Sequence, residues 1–225
     1  MRQMSKRAQA HPIVFDERIA KQFVAELPFA MTDDQRAASW KILQDMQSDD
    51  PMNRLLEGDV GSGKTLVAAM ASLMALENGM QVAFIAPTEI LAKQHYATLK
   101  KILSYTKHSK DIALLVGSLK KSEKQKLKDS IARKQATLLV GTHALLEEDI
   151  DWHTLGLVII DEQHRFGVKQ RQKLQTKTNF MPHVLCMTAT PIPRSLALTV
   201  YGELSISVIT QKPINKPPIT TELVS

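Results

Sequence analysis

The chain has 225 residues, 29 of them Lys or Arg and 23 Asp or Glu, for a formal charge of +6 and a pI near 9.4. That length fits one domain with an appendage, and the positive balance suits a polyanionic partner, nucleic acid first. The lone Cys186 excludes an intrachain disulfide and a cysteine metal site and suits a reducing compartment. No apolar run approaches the roughly 20 residues of a membrane span, and none follows the basic N-terminus as a secretory signal requires.

In chain order, the first 27 residues are polar and basic, with Ile19, Phe23 and Leu27 spaced four apart to give one packing face. Thr32 followed by Gln35 reads as a capping box, predicting a helix to about Met46 with Trp40 and Leu43 on its buried face. The chain then alternates. A short strand over 54–57 leads to a helix over 64–78, on which Leu66, Ala69, Met70 and Leu73 share a face and Gly79 suits the position past the end. A strand over 82–86 precedes a helix over 89–103, with Leu91, Leu99 and Ile102 facing inward. A strand over 112–116 precedes a very basic helix over 122–134. Further strands fall at 137–141, 157–160, 184–187 and 206–209. Strands that are apolar throughout, separated by helices, predict an α/β fold: a mostly parallel sheet with helices on both faces. Ligands of such a sheet bind at the carboxyl ends of its strands. The Pro-rich stretch that opens at Lys212 reads as a stiff linker.

Two segments carry chemistry. Gly58-Asp59-Val60-Gly61-Ser62-Gly63-Lys64-Thr65 fits G-x-x-x-x-G-K-[ST], between a strand and a helix. Glycines let successive N–H groups curl around an anion, and the helix that opens at Lys64 adds unpaired N–H groups. Lys64 suits β- and γ-phosphates, and the Thr65 hydroxyl suits Mg²⁺. The second segment is Leu157–Ile160 followed by Asp161 and Glu162, a hydrophobic strand that delivers adjacent carboxylates. In a P-loop enzyme the first holds Mg²⁺ and the second serves the attacking water. His164 has no second His or Cys at ligand spacing and is not read as a metal ligand. These segments specify an Mg-nucleotide-binding α/β domain, and leave kinase, GTPase, transporter ATPase and nucleic-acid motor open.

The ordered set of segments resembles the superfamily 2 helicases. Thr32 and Gln35 resemble the Q motif, Gly58–Thr65 motif I, and the stretch Ala86-Pro-Thr-Glu-Ile-Leu-Ala-Lys-Gln-His95 motif Ia. Gly117-Ser118 and Val140-Gly-Thr-His143 resemble motifs Ib and Ic, Asp161-Glu-Gln-His164 motif II, and Thr188-Ala-Thr190 motif III. The stretches Asp161-Glu-Gln-His-Arg-Phe-Gly-Val168 and Thr188-Ala-Thr-Pro-Ile-Pro-Arg-Ser-Leu196 are similar to the RecG family of bacterial ATP-dependent branched-DNA helicases. The transcription-repair coupling translocases share Arg-Phe-Gly-Val, but carry Glu where this chain has Gln163.

The resemblance implies a RecA-like fold with ATP and Mg²⁺ as cofactors. Gln35 would read adenine. Residues 58–65 would hold phosphates, Thr65 and Asp161 Mg²⁺, and Glu162 and Lys64 would be catalytic. His164, Thr188 and Thr190 would couple nucleotide to DNA, the threonines by hydrogen bonds toward motif II. Thr88, Gly117, Ser118, Thr142 and His143 would line a sequence-independent DNA track, since contacts to phosphates position a strand without reading it. By the same resemblance residues 1–26 are a linker toward a wedge domain, 27–211 the first motor lobe, and 212–225 a linker toward a second lobe. Branched DNA is the expected partner and a bacterial, nucleoid-associated cytoplasmic location the expected setting. An isolated first lobe is expected to bind ATP but hydrolyse it poorly, because the family's catalytic arginine sits on the second lobe. The other readings are a motor lobe of the transcription-coupling class and a nucleotide-gated binding module without turnover. The basic stretch 118–135 fits either a nucleic-acid or wedge contact or a solvated face, and Arg165 and Phe166 fit either coupling or packing.

Overall fold

The computed structural model describes residues 9–135, 137–142, 145, 150–162, 180–190 and 204–211. Among them lie α1 (Glu17–Ala25), α2 (Asp33–Met46), β1 (Asn53–Gly58), α3 (Lys64–Glu77), β2 (Gln81–Ala86) and α4 (Glu89–Ile102). After a 3₁₀ turn at Lys107–Lys110 follow β3 (Ile112–Leu115), α5 (Lys121–Ala132), β4 (Leu138–Thr142), β5 (Leu155–Asp161), β6 (His183–Thr188) and β7 (Ser205–Ile209). The seven strands form one sheet in the order β3-β4-β2-β5-β6-β1-β7, and every pairing among them is parallel. This is the expected α/β fold of the RecA-like kind.

Successive strand residues point to opposite faces, so the sheet divides its apolar residues between two cores. Leu56, Val82, Phe84, Ile159 and Met187 pack with α2, α3 and α4 on one side. Leu55, Ala83, Ile85, Ile160 and Cys186 pack on the other with Trp152 and with Ile131 of α5. The apolar face of α1 forms as its spacing predicts, with Phe23 fully buried and Ile19 and Leu27 partly so.

Two helices differ from their sequence patterns. In α3 every residue from Leu66 to Leu76 is buried, not one stripe. The helix lies against β1, β2 and β5 and is also flanked by α1, α2 and α4, which is why it is apolar all round. In α2 Leu43 is buried, but Trp40 is 48% exposed and meets the edge of Phe15, with centroids 5.2 Å apart. The inward positions are Gln35, Ala38, Ser39, Ile42, Leu43 and Met46, a helical stripe that Trp40 lies beside. The expectation for Trp40 is thereby corrected: the polar Gln35, not the large aromatic, is on the face that reaches the core. Among the described residues no helix is long and apolar enough to cross a membrane.

Candidate functional site

The sheet order places the candidate residues on two stretches of one edge. β1, β6 and β5 are consecutive neighbours, with Glu57 opposite Thr188 and Asp161 opposite Met187. Neighbouring strands lie about 4.8 Å apart, so the loop after β1 and the carboxylates after β5 stand about 10 Å apart across the end of β6. β2, β4 and β3 continue the edge, with Ala86 opposite Thr142 and Leu115 opposite Gly141. Thr88, Gly117, Ser118 and Thr142 therefore fall together beyond the second stretch.

The loop after β1 is shaped for an anion. Gly63 takes φ +93°, in the left-handed region, and caps α3 without any side-chain hydrogen bond. The helical ladder begins at Leu66, whose N–H donates to the Gly63 carbonyl at 2.9 Å, leaving the amides of Lys64 and Thr65 at the rim. The Lys64 ammonium donates to the carbonyl oxygens of Gly58 (2.5 Å) and Asp59 (3.2 Å). Burial lowers its pKa from the ordinary lysine value, and the charges of Asp161, Glu162 and Asp59 oppose that shift. The field of both motif II carboxylates thus reaches the loop lysine.

Gln35 has two attachments. It closes the α2 capping box: its N–H donates to Thr32 Oγ1 (3.2 Å) and its Oε1 accepts from Thr32 N–H (3.0 Å). Its Nε2 also donates to the Ser62 carbonyl at 2.7 Å. Glycine at 63 suits its left-handed φ of +93°, and a Cβ there would displace the Gln35 amide, 2.3 Å away. The side chain of Gln35 is a strut from α2 to the loop after β1.

Asp161 is the last residue of β5, and its Oδ2 accepts from His95 Nε2 at 2.7 Å. Among the described residues no group of three or more His, Cys, Asp and Glu side chains could hold a metal. Asp161 and Thr65 nevertheless suit Mg²⁺, which commonly takes one or two protein ligands and completes its shell with phosphate oxygens and water. Glu162 has φ +54°, uncommon for a residue with a side chain and typical of functional turns. Bonds to described residues help hold it there: its N–H donates to the Met187 carbonyl (2.9 Å), and its Oε1 accepts from Ala189 N–H (3.2 Å). The hydroxyls of Thr188 and Thr190 bond to each other at 3.0 Å. Among the described residues, the Ala189 amide between them donates to Glu162.

On the second stretch, Thr88 Oγ1 accepts from Leu91 N–H at 3.3 Å as the N-cap of α4. Ser118 N–H donates to Glu89 Oε1 at 3.1 Å. Ser118, its hydroxyl foremost, and the Gly117 amide hold the Glu89 carboxyl below its usual range. Gly117 permits this approach, since a Cβ there would lie 2.7 Å from the same oxygen. Thr142 ends β4 half-buried. His143, His164, Arg165, Phe166 and the linker residues 212–225 lie outside the described residues.

Comparison with known proteins identifies this arrangement. The family described as DEAD/DEAH box helicase matches residues 32–199. This chain belongs to the DEAD/DEAH box helicase family. The ATP-dependent DNA helicase RecG of Thermotoga maritima is 48% identical over 213 residues, covering 95% of this chain and 27% of that protein. RecG of Streptococcus pneumoniae is 51% identical over 195 residues, 87% of this chain and 28% of its own. A solved structure of RecG bound to a three-way DNA junction superposes with a TM-score of 0.80 at 42% identity, over 94% of this chain and 28% of that one. The likeness to superfamily 2 helicases and to RecG read from the motifs is borne out. The chain spans little more than a quarter of the length of these relatives.

Two residues of this helicase lobe escape sequence reasoning. His95 sits in the motif Ia stretch, but its partner Asp161 is 66 residues away. Asp34 accepts from Thr210 N–H (2.8 Å), Thr210 Oγ1 (2.6 Å) and Gln211 N–H (2.9 Å), which lowers its pKa, the Thr210 hydroxyl foremost. The segment leaving β7 is thus tied to the residue next to Gln35. Adjacency of β2 to β5, and of β7 to α2, is the missing signal in both cases.

Proposed function

We propose that this chain is the first, ATP-binding motor lobe of a RecG-type helicase that remodels branched DNA. Residues 1–26 then lead from a wedge domain, 27–211 form the lobe, and 212–225 lead to a second lobe. The observation that supports it best is the delivery of a glycine-rich loop and an Asp-Glu pair to one edge, with Lys64 in the field of both carboxylates.

On nucleotide binding Lys64 exchanges its carbonyl partners at Gly58 and Asp59 for β- and γ-phosphate oxygens. The amides of residues 60–65 line the phosphates, and Gln35, anchored on Ser62, reads adenine at the loop's flank. Thr65 and Asp161 hold Mg²⁺, which when bound neutralises charge on the phosphates. Glu162 orients the attacking water, and its bond to Ala189 carries the state of the site to Thr188 and Thr190. His164, just beyond, belongs to the same coupling. Thr88, Gly117, Ser118, Thr142 and His143 hold the phosphates of a DNA strand.

In P-loop NTPases an arginine from another element contributes about 10³–10⁵ in rate. The 225-residue polypeptide should therefore bind ATP and release little phosphate. A polypeptide extended through the second lobe should show DNA-stimulated turnover, lost in Glu162→Gln. Steady-state phosphate release from both is the test. Vigorous DNA-stimulated turnover by the short chain, abolished by Lys64→Ala, would show the second lobe to be dispensable.

A further inference from the structure

Asp161 and Lys64 carry opposite charges on the same edge of the sheet, yet they form no ion pair. Lys64 is turned to the carbonyls of Gly58 and Asp59, and Asp161 is turned to His95, Nε2 to Oδ2 at 2.7 Å. The His95 and Asp161 side chains are nearly buried, at 13% and 12% exposure. Phe84 of β2 lies against the imidazole, with centroids 4.6 Å apart and planes at 42°, so the ring has little freedom to turn. A carboxylate only accepts hydrogen bonds, so Nε2–H is the donor. The backbone of Asp161 is fixed by pairing with Met187, which leaves rotation about its side-chain bonds as its remaining freedom. One nearly buried donor, packed against Phe84, selects its orientation.

We propose that His95 is a positioning residue for the Mg²⁺-binding carboxylate: it holds Asp161 away from Lys64, so that the acid stays available to the metal and the lysine to the phosphates. The inference rests on the nucleotide reading of the site. Partners that orient a metal-binding side chain are commonly worth 10–100-fold in metal affinity. His95 also stands about two turns along α4 from Thr88, so the helix that opens the DNA stretch carries the residue that sets the nucleotide stretch.

The test is a titration of Mg²⁺ into the full chain holding a fluorescent N-methylanthraniloyl-ADP, beside nucleotide binding in EDTA and circular dichroism of each variant. His95→Ala should raise the Mg²⁺ concentration for half-maximal enhancement on the order of tenfold and leave binding in EDTA unchanged. His95→Gln, whose amide reaches where Nε2 reaches, should restore the wild-type midpoint. His95→Asn, one bond shorter, should not. If His95→Ala fails to fold, the Gln and Asn pair decides. An unshifted midpoint in folded His95→Ala, or equal midpoints for Gln and Asn, overturns the proposal while the nucleotide site stands. Equal loss with and without Mg²⁺ also overturns it and assigns His95 to packing. Wild-type protein that binds no nucleotide overturns the underlying reading instead.

Discussion

Along β1, β6 and β5 the sheet edge departs from ordinary backbone geometry, with Gly63 and Glu162 both at positive φ and α3 opening without a side-chain cap. Along β2, β4 and β3 the chain satisfies itself: Thr88 caps α4 and Glu89 takes the Ser118 amide. The first stretch is pre-organised at the cost of strain, which suits a ligand with many charges at fixed positions. The second exposes small groups already in local hydrogen bonds, which suits a phosphate backbone that must slide past. On the proposed reading one sheet supports two kinds of recognition, and α4 spans them from Thr88 to His95.

The largest expected separation of the two comes from Lys64→Ala. Loss of a charge-assisted contact to two phosphates costs about 1.5–3 kcal/mol each, so ATP affinity should fall on the order of 100-fold or more. Affinity for an oligonucleotide should stay as it was. Isothermal titration with each ligand checks this, and a parallel loss of DNA binding would merge the two stretches into one site.

Gln35→Ala comes next. It removes one side of the capping box and the strut to Ser62, and a lost cap costs about 0.5–2 kcal/mol. Urea unfolding should show that loss. Nucleotide titrations should show ATP weakened more than GTP if the amide reads adenine, and both equally if Gln35 serves only the loop.

A perturbation at the other end of β6 should spare both stretches. His183 is fully buried, accepting from Met52 N–H through Nδ1 (3.0 Å) and donating through Nε2 to the His11 carbonyl (3.1 Å). Burial lowers its pKa below the ordinary histidine value. The unfolded chain therefore binds the proton first. The stabilisation is complete above about pH 6.5 and is lost as pH falls from there toward the folded-state value. Thermal melts from pH 7.5 to 5 should show this slope, and His183→Gln should flatten it without changing ATP affinity at pH 7.5.

The smallest effects belong to the DNA stretch. Binding should be indifferent to sequence and fall steeply with salt, because neutralised phosphates release counterions. Glu89→Gln removes one negative charge from the track and should tighten an oligonucleotide by roughly twofold at low salt, as exposed charges are worth under about 1 kcal/mol. Fluorescence anisotropy at two salt concentrations measures both. Affinity that follows base sequence and ignores salt would assign these residues to something other than a track.

How much of this was legible in the sequence follows from the range of each interaction. The Thr32–Gln35 cap, the phosphate loop and the Asp161-Glu162 pair are local, so residue type and spacing suffice. Strand order is not legible, because strands buried on both faces are uniformly apolar and carry no register. Hence the His95–Asp161 and Asp34–Thr210 contacts stay hidden although each residue is in plain view. Trp40 misleads because size suggests burial where helical phase decides, and α3 reads as one-sided because periodicity reports one face and cannot count layers. The bond from the Ala189 amide to Glu162 is equally hidden, because any residue but proline would supply that donor.

The central claim, two ligands on two stretches of one edge, is tested most directly by loading both at once. A fluorescein-labelled single-stranded oligonucleotide is bound at low salt and followed by anisotropy while Mg²⁺ and ATP are added to saturation. The account predicts that the oligonucleotide stays bound while ATP binds, and that in Lys64→Ala the oligonucleotide stays bound and ATP does not. Stoichiometric displacement of the oligonucleotide by ATP, with its affinity lost in Lys64→Ala, would contradict it.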